Sequence, residues 1–276
     1  MKPIPGILSL LALLAGAVQA QVAAPLPSFT VYGEVRHWNG RAFVSNDAAE
    51  VIAKINGAEI DRCDVVSGIY PAVNYRLHVP MASMPLAGRG ETGDPLAFEV
   101  SYDGQLHAVP AGAAPPVVGL TGEALHCNLL VGTDADADGL PDEYENLLLP
   151  YYADAGLGTN IWAIAPDDDF DHDGYSNRQE FDAGTIPVEG SDFLKIEDFR
   201  RAAGGYWALT FLSAPGRTYT VPRSDNLTSS QWTDVDLALT TNATPSQAFY
   251  GSEKDAFVTL YLLPTATNAS YRLDVQ

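Results

Sequence analysis

The chain opens on an apolar run, Ile7 to Val18, broken only by Ser9 and Gly16. From Phe29 the pattern shifts to a period of two. Phe29, Val31 and Val35 fall on one face, and Asn39-Gly40 marks a turn. Val51, Ala53 and Ile55 alternate up to Asn56-Gly57, and Ala58-Glu59-Ile60 leads away. An Asn-Gly pair between two such runs is a strong hairpin signal. Tyr75, Leu77 and Val79 alternate again, as do Leu96, Phe98, Val100 and Tyr102 before Asp103-Gly104, and Leu125 to Val131 reads as strand. Past Ser191 the text is β once more: Trp207, Leu209 and Phe211 alternate with Ala208, Thr210 and Leu212, and Pro215-Gly216 turns the chain. Tyr219, Val221, the run 257–263, and Tyr271, Leu273 and Val275 follow. Many short strands separated by turns predict a mainly β chain with two β-sandwich domains of immunoglobulin or transthyretin type.

Between them the period becomes helical. Leu140, Tyr144, Leu147 and Leu148 are spaced i, i+4, i+7, i+8 and predict one apolar helix stripe. Pro141 suits a first helical turn, and Pro150 is expected to stop that helix. Further on, Ser176 and Gln179 form a capping box and Gly184 ends a short helix. The expected division is therefore a signal peptide (1–20), a flexible leader (21–28), an N-terminal β-sandwich (29–131), a small helical module with little core of its own (132–190) and a C-terminal β-sandwich (191–276).

The signal peptide is read from the Met1-Lys2 start, the apolar run and the small-x-small Val18-Gln19-Ala20. It predicts export, whether to the periplasm, the cell surface or the medium. No later apolar run is long enough to span a bilayer. In an oxidising compartment, Cys63 and Cys127, the only two cysteines, are expected to form a disulfide.

Charge narrows the function classes. Of 276 residues, 15 are Lys or Arg and 35 are Asp or Glu, for a net charge of -20. Such a surface repels phosphate backbones, so nucleic acid is excluded as a partner and cations are expected.

The acids are not spread evenly. Residues 134–145 hold six and 167–182 hold seven, with Arg178 as the one basic side chain among them. In the first stretch Asp134, Asp136, Asp138, Asp142 and Glu145 take positions one, three, five, nine and twelve of a loop, with Gly139 at six. In the second, Asp169, Asp171, Asp173, Asn177 and Glu180 take the same places around Gly174. Both first and last ligands are 35 residues apart, so one loop has been duplicated in register. Calcium takes six to eight hard oxygens, and alternate residues of a tight loop can turn their carboxylates inward together. The carbonyls of Leu140 and Tyr175, at position seven, would add a backbone oxygen, and position nine would coordinate directly or through water. The predicted cofactor is thus Ca²⁺, two ions. Magnesium would demand a stricter octahedron, and zinc finds no Cys in either loop. Position eight is Pro141 and Ser176, not the branched apolar residue that joins paired EF-hands, so a groove-opening sensor is not expected.

The two loops resemble thrombospondin type 3 and dockerin-like calcium repeats. More narrowly, the segment Asp171–Thr185, followed by Gly216-Arg-Thr-Tyr-Thr-Val221, resembles a module of exported proteins from Planctomycetes and Verrucomicrobia. That resemblance covers about residues 125–276 and implies mostly calcium-stabilised extracellular architecture, often without known activity. The acids Asp167 and Asp168 ahead of the second loop depart from it.

Enzyme signatures are missing: no G-x-S-x-G, H-E-x-x-H, C-x-x-C or P-loop occurs. Gly88 to Gly93 fits G-x-G-x-x-G, but no helical pattern follows it, so it reads as a loop. The expected protein is non-catalytic and structural or adhesive, with an extracellular polysaccharide or another surface protein as partner. The alternatives are a carbohydrate-binding accessory protein using Trp38, Tyr206, Trp207 or Trp232 as a platform, and a secreted polysaccharide hydrolase.

Overall fold

The structure is a computed structural model and describes residues 26–67, 70, 72–83, 86, 88–110, 115–226, 231–263 and 269–275. The expected signal peptide and most of the leader lie outside these residues. The chain is mainly β, with two α-helices among the described residues. No described helix is long and apolar enough to cross a membrane.

The first nine strands are β1 (Phe29–Gly33), β2 (Val35–Arg36), β3 (Glu50–Ile55), β4 (Ala58–Asp64), β5 (Tyr75–Val79), β6 (Ala97–Tyr102), β7 (Gln105–Ala108), β8 (Ala124–His126) and β9 (Leu129–Leu130). They form an antiparallel sheet β4-β3-β6-β7, a sheet β5-β1-β8 in which β8 runs parallel to β1, and a parallel pair β2-β9. Asn56-Gly57 closes the β3–β4 hairpin and Asp103-Gly104 the β6–β7 hairpin, and all four take positive φ. Alternation then decides the core. Val31, Val51, Leu77 and Val100, from four different strands, are fully buried in one apolar cluster. The stretch expected as one strand from Leu125 to Val131 is broken at Cys127-Asn128. There the Asn128 side chain accepts from the Glu34 amide, and Gly33 packs so close that a Cβ would lie 2.2 Å from the Cys127 carbonyl oxygen. As expected, residues 88–93 form no helix.

The expected disulfide is absent: Cys63 and Cys127 are both free thiols. Cys63 lies on β4, and Cys127 follows β8. The chain near Cys127 is held by the Tyr75 hydroxyl, which donates to the Cys127 carbonyl at 2.5 Å. Burial pushes Cys63 up to about 11 and also raises Cys127, so both thiols stay protonated at neutral pH.

The middle segment holds helices α1 (Asp142–Asp154) and α2 (Asn177–Ala183). Ser176 and Gln179 form the capping box that starts α2, and Gly184, at φ 80°, ends it. Pro150 does not stop α1, which runs on to Asp154. The turn past the proline is anchored, because Tyr152 is buried against Phe170 and its hydroxyl accepts from the Asn177 side chain. The apolar stripe is narrower than its spacing suggests: Leu140, Tyr144 and Leu148 are buried, while Leu147 is exposed. The segment also has a core of its own. Leu140, Tyr144, Leu148, Tyr152, Ile164 and Phe181 form a cluster flanked by Trp38, Leu130 and Val188.

The remaining strands are β10 (Ile196–Arg201), β11 (Trp207–Ser213), β12 (Thr218–Thr220), β13 (Pro222–Ser224), β14 (Thr233–Asp234), β15 (Tyr250–Gly251), β16 (Ala256–Leu262), β17 (Ser270–Tyr271) and β18 (Asp274–Val275). They pair as β10-β11-β16, β15-β12-β18 and β14-β13-β17, all antiparallel. Leu209, Phe211, Tyr219, Val221, Leu260 and Leu262 make the core here. Strand β10 carries no alternating apolar signal, because five of its six residues are exposed and four are charged.

All three parts meet around Gly216 and Arg217. The Ala42 amide donates to the Gly216 carbonyl at 2.9 Å, and Gly216, at φ 67°, leaves only 2.3 Å from an ideal Cβ to the Ala42 carbonyl oxygen. Arg217, 2% exposed, donates to the carbonyls of Phe181 at 2.7 Å and Asn39 at 3.3 Å. From β2, Arg36 reaches Asp182 of α2 at 3.3 Å.

Candidate metal centre

Both acidic loops fold by the same local chemistry. The position-nine amide closes each loop: Asp142 donates to the Thr133 carbonyl at 2.8 Å, and Asn177 to that of Asp168 at 2.7 Å. One oxygen of Asp134 accepts from the Gly139 amide at 3.1 Å, and one oxygen of Asp169 accepts from Gly174 at the same distance. Asp138 accepts from Leu140 and Asp173 from Tyr175, each at 2.8 Å. Position six is glycine at φ 96° and 98°, and position four is left-handed in both loops, Ala137 at 60° and His172 at 63°. Each of these short-range bonds ties down one carboxylate oxygen and leaves the other free to turn inward.

What turns inward is a set of oxygens without partners. The carboxylates of Asp134, Asp136 and Asp138 converge within 4.8 Å of one another, as do those of Asp169, Asp171 and Asp173. The second oxygens of Asp134 and Asp169 are buried and bonded to nothing, as is one oxygen each of Asp171 and Asp173. Glu145, in the first turn of α1, is 0% exposed and has no hydrogen bond on either oxygen. Glu180, in α2, is 1% exposed; one oxygen accepts from Thr185 at 3.3 Å and the other is unpartnered. A buried carboxylate without donors or a counter-charge is strongly unfavourable in its ionised form. Accordingly, burial first and then the neighbouring aspartates push Glu145 and Glu180 each up to about 8. Burial likewise raises Asp138 and Asp171. Each site is thus a ring of hard oxygens that could hold a metal ion.

The position-nine side chains are anchored by hydrogen bonds. Both oxygens of Asp142 face the loop, accepting from the Ala135 amide at 2.8 Å and the Thr133 hydroxyl at 2.9 Å. The Asn177 amide nitrogen donates to the Tyr152 hydroxyl and the Ala165 carbonyl, each at 2.8 Å, while its oxygen is buried without a partner. At position seven, the Leu140 side chain is fully buried and Tyr175 stacks on Phe193 at 5.7 Å. His172 is exposed, as its even position predicts.

Sequence reasoning missed position ten. Glu143 bends back to the Thr133 amide at 3.0 Å, pinning the start of its own loop. Its counterpart Arg178 instead crosses to the first loop and donates to the Gly139 carbonyl at 2.9 Å. The signal was present in the reversal of charge between the two copies at that position, Glu143 against Arg178.

The aromatics weighed as a sugar platform are largely occupied. Trp207 is stacked on Phe199 at 4.9 Å and 9°, with the Arg201 guanidinium 5.1 Å from its ring centre. Arg272 lies 4.7 Å from the centre of Trp232, Trp38 packs on the cluster beneath α1, and Tyr206 donates to the Ala243 carbonyl.

Comparison with models of known protein families, with curated proteins and with solved structures gives no match.

Proposed function

We propose that this chain is an exported calcium-binding structural protein, in which one Ca²⁺ in each loop rigidifies the connection between two β-sandwich domains. The observation that carries this reading is the pair Glu145 and Glu180: two buried carboxylates at matched positions, each beside three converging aspartates and each with an oxygen no protein group satisfies. Asp134, Asp136, Asp138 and Glu145 would hold one ion, and Asp169, Asp171, Asp173 and Glu180 the other. All of these donors are oxygens, and neither group contains a cysteine or histidine, which favours a hard cation over zinc. Calcium fits the carboxylate-rich loop better than magnesium, which keeps much of its water.

What the bound ion supplies is positive charge and coordination. The chain supplies the rest: Asp134 and Asp169 tie one oxygen each to the loop glycines, and the helices carry the glutamates. Without a cation these acids repel one another. With one, each loop is cross-linked to the helix that follows it. Extracellular modules bind calcium with Kd around 10⁻⁴–10⁻³ M, and an ion at a hundred times its Kd stabilises the folded state by about 2.7 kcal/mol. The thrombospondin type 3 and dockerin-like resemblance of the loops agrees with this reading, as does the signal-like first segment.

The test is calorimetric melting of the mature protein in chelator and then in millimolar calcium, with limited proteolysis alongside. Calcium should raise the melting temperature and suppress cleavage within 132–190. An unchanged melting temperature and an unchanged cleavage pattern would refute the stiffening role.

A further inference from the structure

The two loops are copies, yet they differ in how position ten is used. Glu143 serves its own loop, whereas Arg178 leaves its loop and grips the other one. Its guanidinium makes two bonds. One donor goes to the Gly139 carbonyl at 2.9 Å, and Nε goes to Asp182 at 3.1 Å, with the charge 5.6 Å from the centre of the Phe181 ring. Gly139 is shaped for this approach, since a Cβ there would lie 2.9 Å from the Arg178 guanidinium nitrogen; at Gly174 the equivalent space is empty. Gly139 sits between Asp138 and Leu140, so its carbonyl belongs to the strained turn that points the first aspartate triplet inward. Arg178 is two residues before Glu180 on α2, the helix whose seating depends on what the second loop holds.

Resting on the calcium reading above, we infer that Arg178 is a positioning residue that couples the two ion sites: filling the second loop fixes α2, and α2, through Arg178, orders the turn of the first. The guanidinium also faces Asp138, so its charge opposes a cation there. The link therefore works by ordering the Gly139 carbonyl and not by adding attraction for the ion. The coupling runs through side chains of the module, and position eight, Pro141 and Ser176, lacks the branched apolar residues that join paired EF-hands.

Calcium titration calorimetry on four proteins tests this: the unaltered chain, E180Q, R178M and the double variant. Methionine keeps an aliphatic stem over Phe181 and removes the donors. E180Q should weaken calcium binding at the first loop about fivefold, the low end of ordinary coupling between sites. In the R178M background the same change should leave the first loop's affinity unaltered. Equal losses in both backgrounds, or no loss in either, would overturn the inference while leaving calcium binding intact. No uptake by any of the four would instead bring down the calcium reading on which it rests. A second measurement keeps Arg178 in place. In E145Q, whose first site is disabled, calcium filling the second loop should slow amide exchange at Gly139 and Leu140 about fivefold. Unchanged exchange there would also overturn it.

Discussion

The Arg217 guanidinium donates to the Phe181 carbonyl at 2.7 Å, one residue beyond Glu180. A single buried side chain of the C-terminal β region is thus tied to the last turn of the helix that would carry a calcium ligand. Burial lowers Arg217 to about 10, still charged at neutral pH, and its Nε and Nη1 are buried without protein partners.

Replacing Arg217 with methionine should therefore loosen the joint without emptying the ion sites. It removes charge-assisted hydrogen bonds to the Phe181 and Asn39 carbonyls, each worth about 1.5–3 kcal/mol. The expected outcome is a lower melting temperature in both chelator and calcium, with calcium affinity unchanged within about twofold of the unaltered chain. Denaturant melts and calorimetric titration of the same sample check both halves.

Glu145 and Glu180 predict a pH dependence with a definite sign. Each is raised from the ordinary carboxylate range to about 8 by burial and by neighbouring aspartates. In the calcium-free protein the folded state holds these protons more tightly than the unfolded state does. Stability is then present at low pH and is lost as pH rises from about 4.5 through 8. Changing either residue to glutamine should flatten that slope and raise the chelator-state melting temperature at pH 8. The same change should weaken calcium binding at that loop tenfold or more, since it removes a ligand. Thermal melts across pH 5 to 9, with and without calcium, separate the two effects.

The glycines at position six distinguish the two copies. Gly139 and Gly174 share nearly the same positive φ, so alanine strains both by about 1–2 kcal/mol. Only at Gly139 would the added methyl also meet Arg178. G139A should therefore destabilise more than G174A and should weaken the coupling between the sites. Equal melting shifts for the two variants would show that the Arg178 approach is unimportant.

Much of this site was legible before any coordinates. Carboxylate spacing, the glycine and the closing glutamate are local facts, and the structure brings the aspartate triplet together at each loop and buries Glu145 and Glu180 with unpartnered oxygens. The hairpins at Asn56-Gly57 and Asp103-Gly104 were equally local, because turn chemistry there is written in two residues. What failed depended on tertiary packing. Pro150 is tolerated because Tyr152 anchors the turn beyond it, and Leu147 is exposed although it shares the helical spacing of the buried Leu140, Tyr144 and Leu148. Strand β10 exists because β11 offers it an edge, although its own residues are mostly charged. An oxidising compartment favours pairing of Cys63 and Cys127 but says nothing about where the chain places them, and both are free thiols. The cluster beneath α1 draws on Trp38, Leu130 and Val188, too far apart in sequence for any period to reveal.

The proposal at the centre is that two carboxylate-lined loops, each closed by a buried glutamate, bind two calcium ions. Isothermal titration of the mature protein, stripped with chelator, tests it most directly. The expected result is uptake of two Ca²⁺ per chain, reduced to one in E145Q or E180Q. Absence of any uptake at millimolar calcium, or a stoichiometry unaffected by both substitutions, would contradict it.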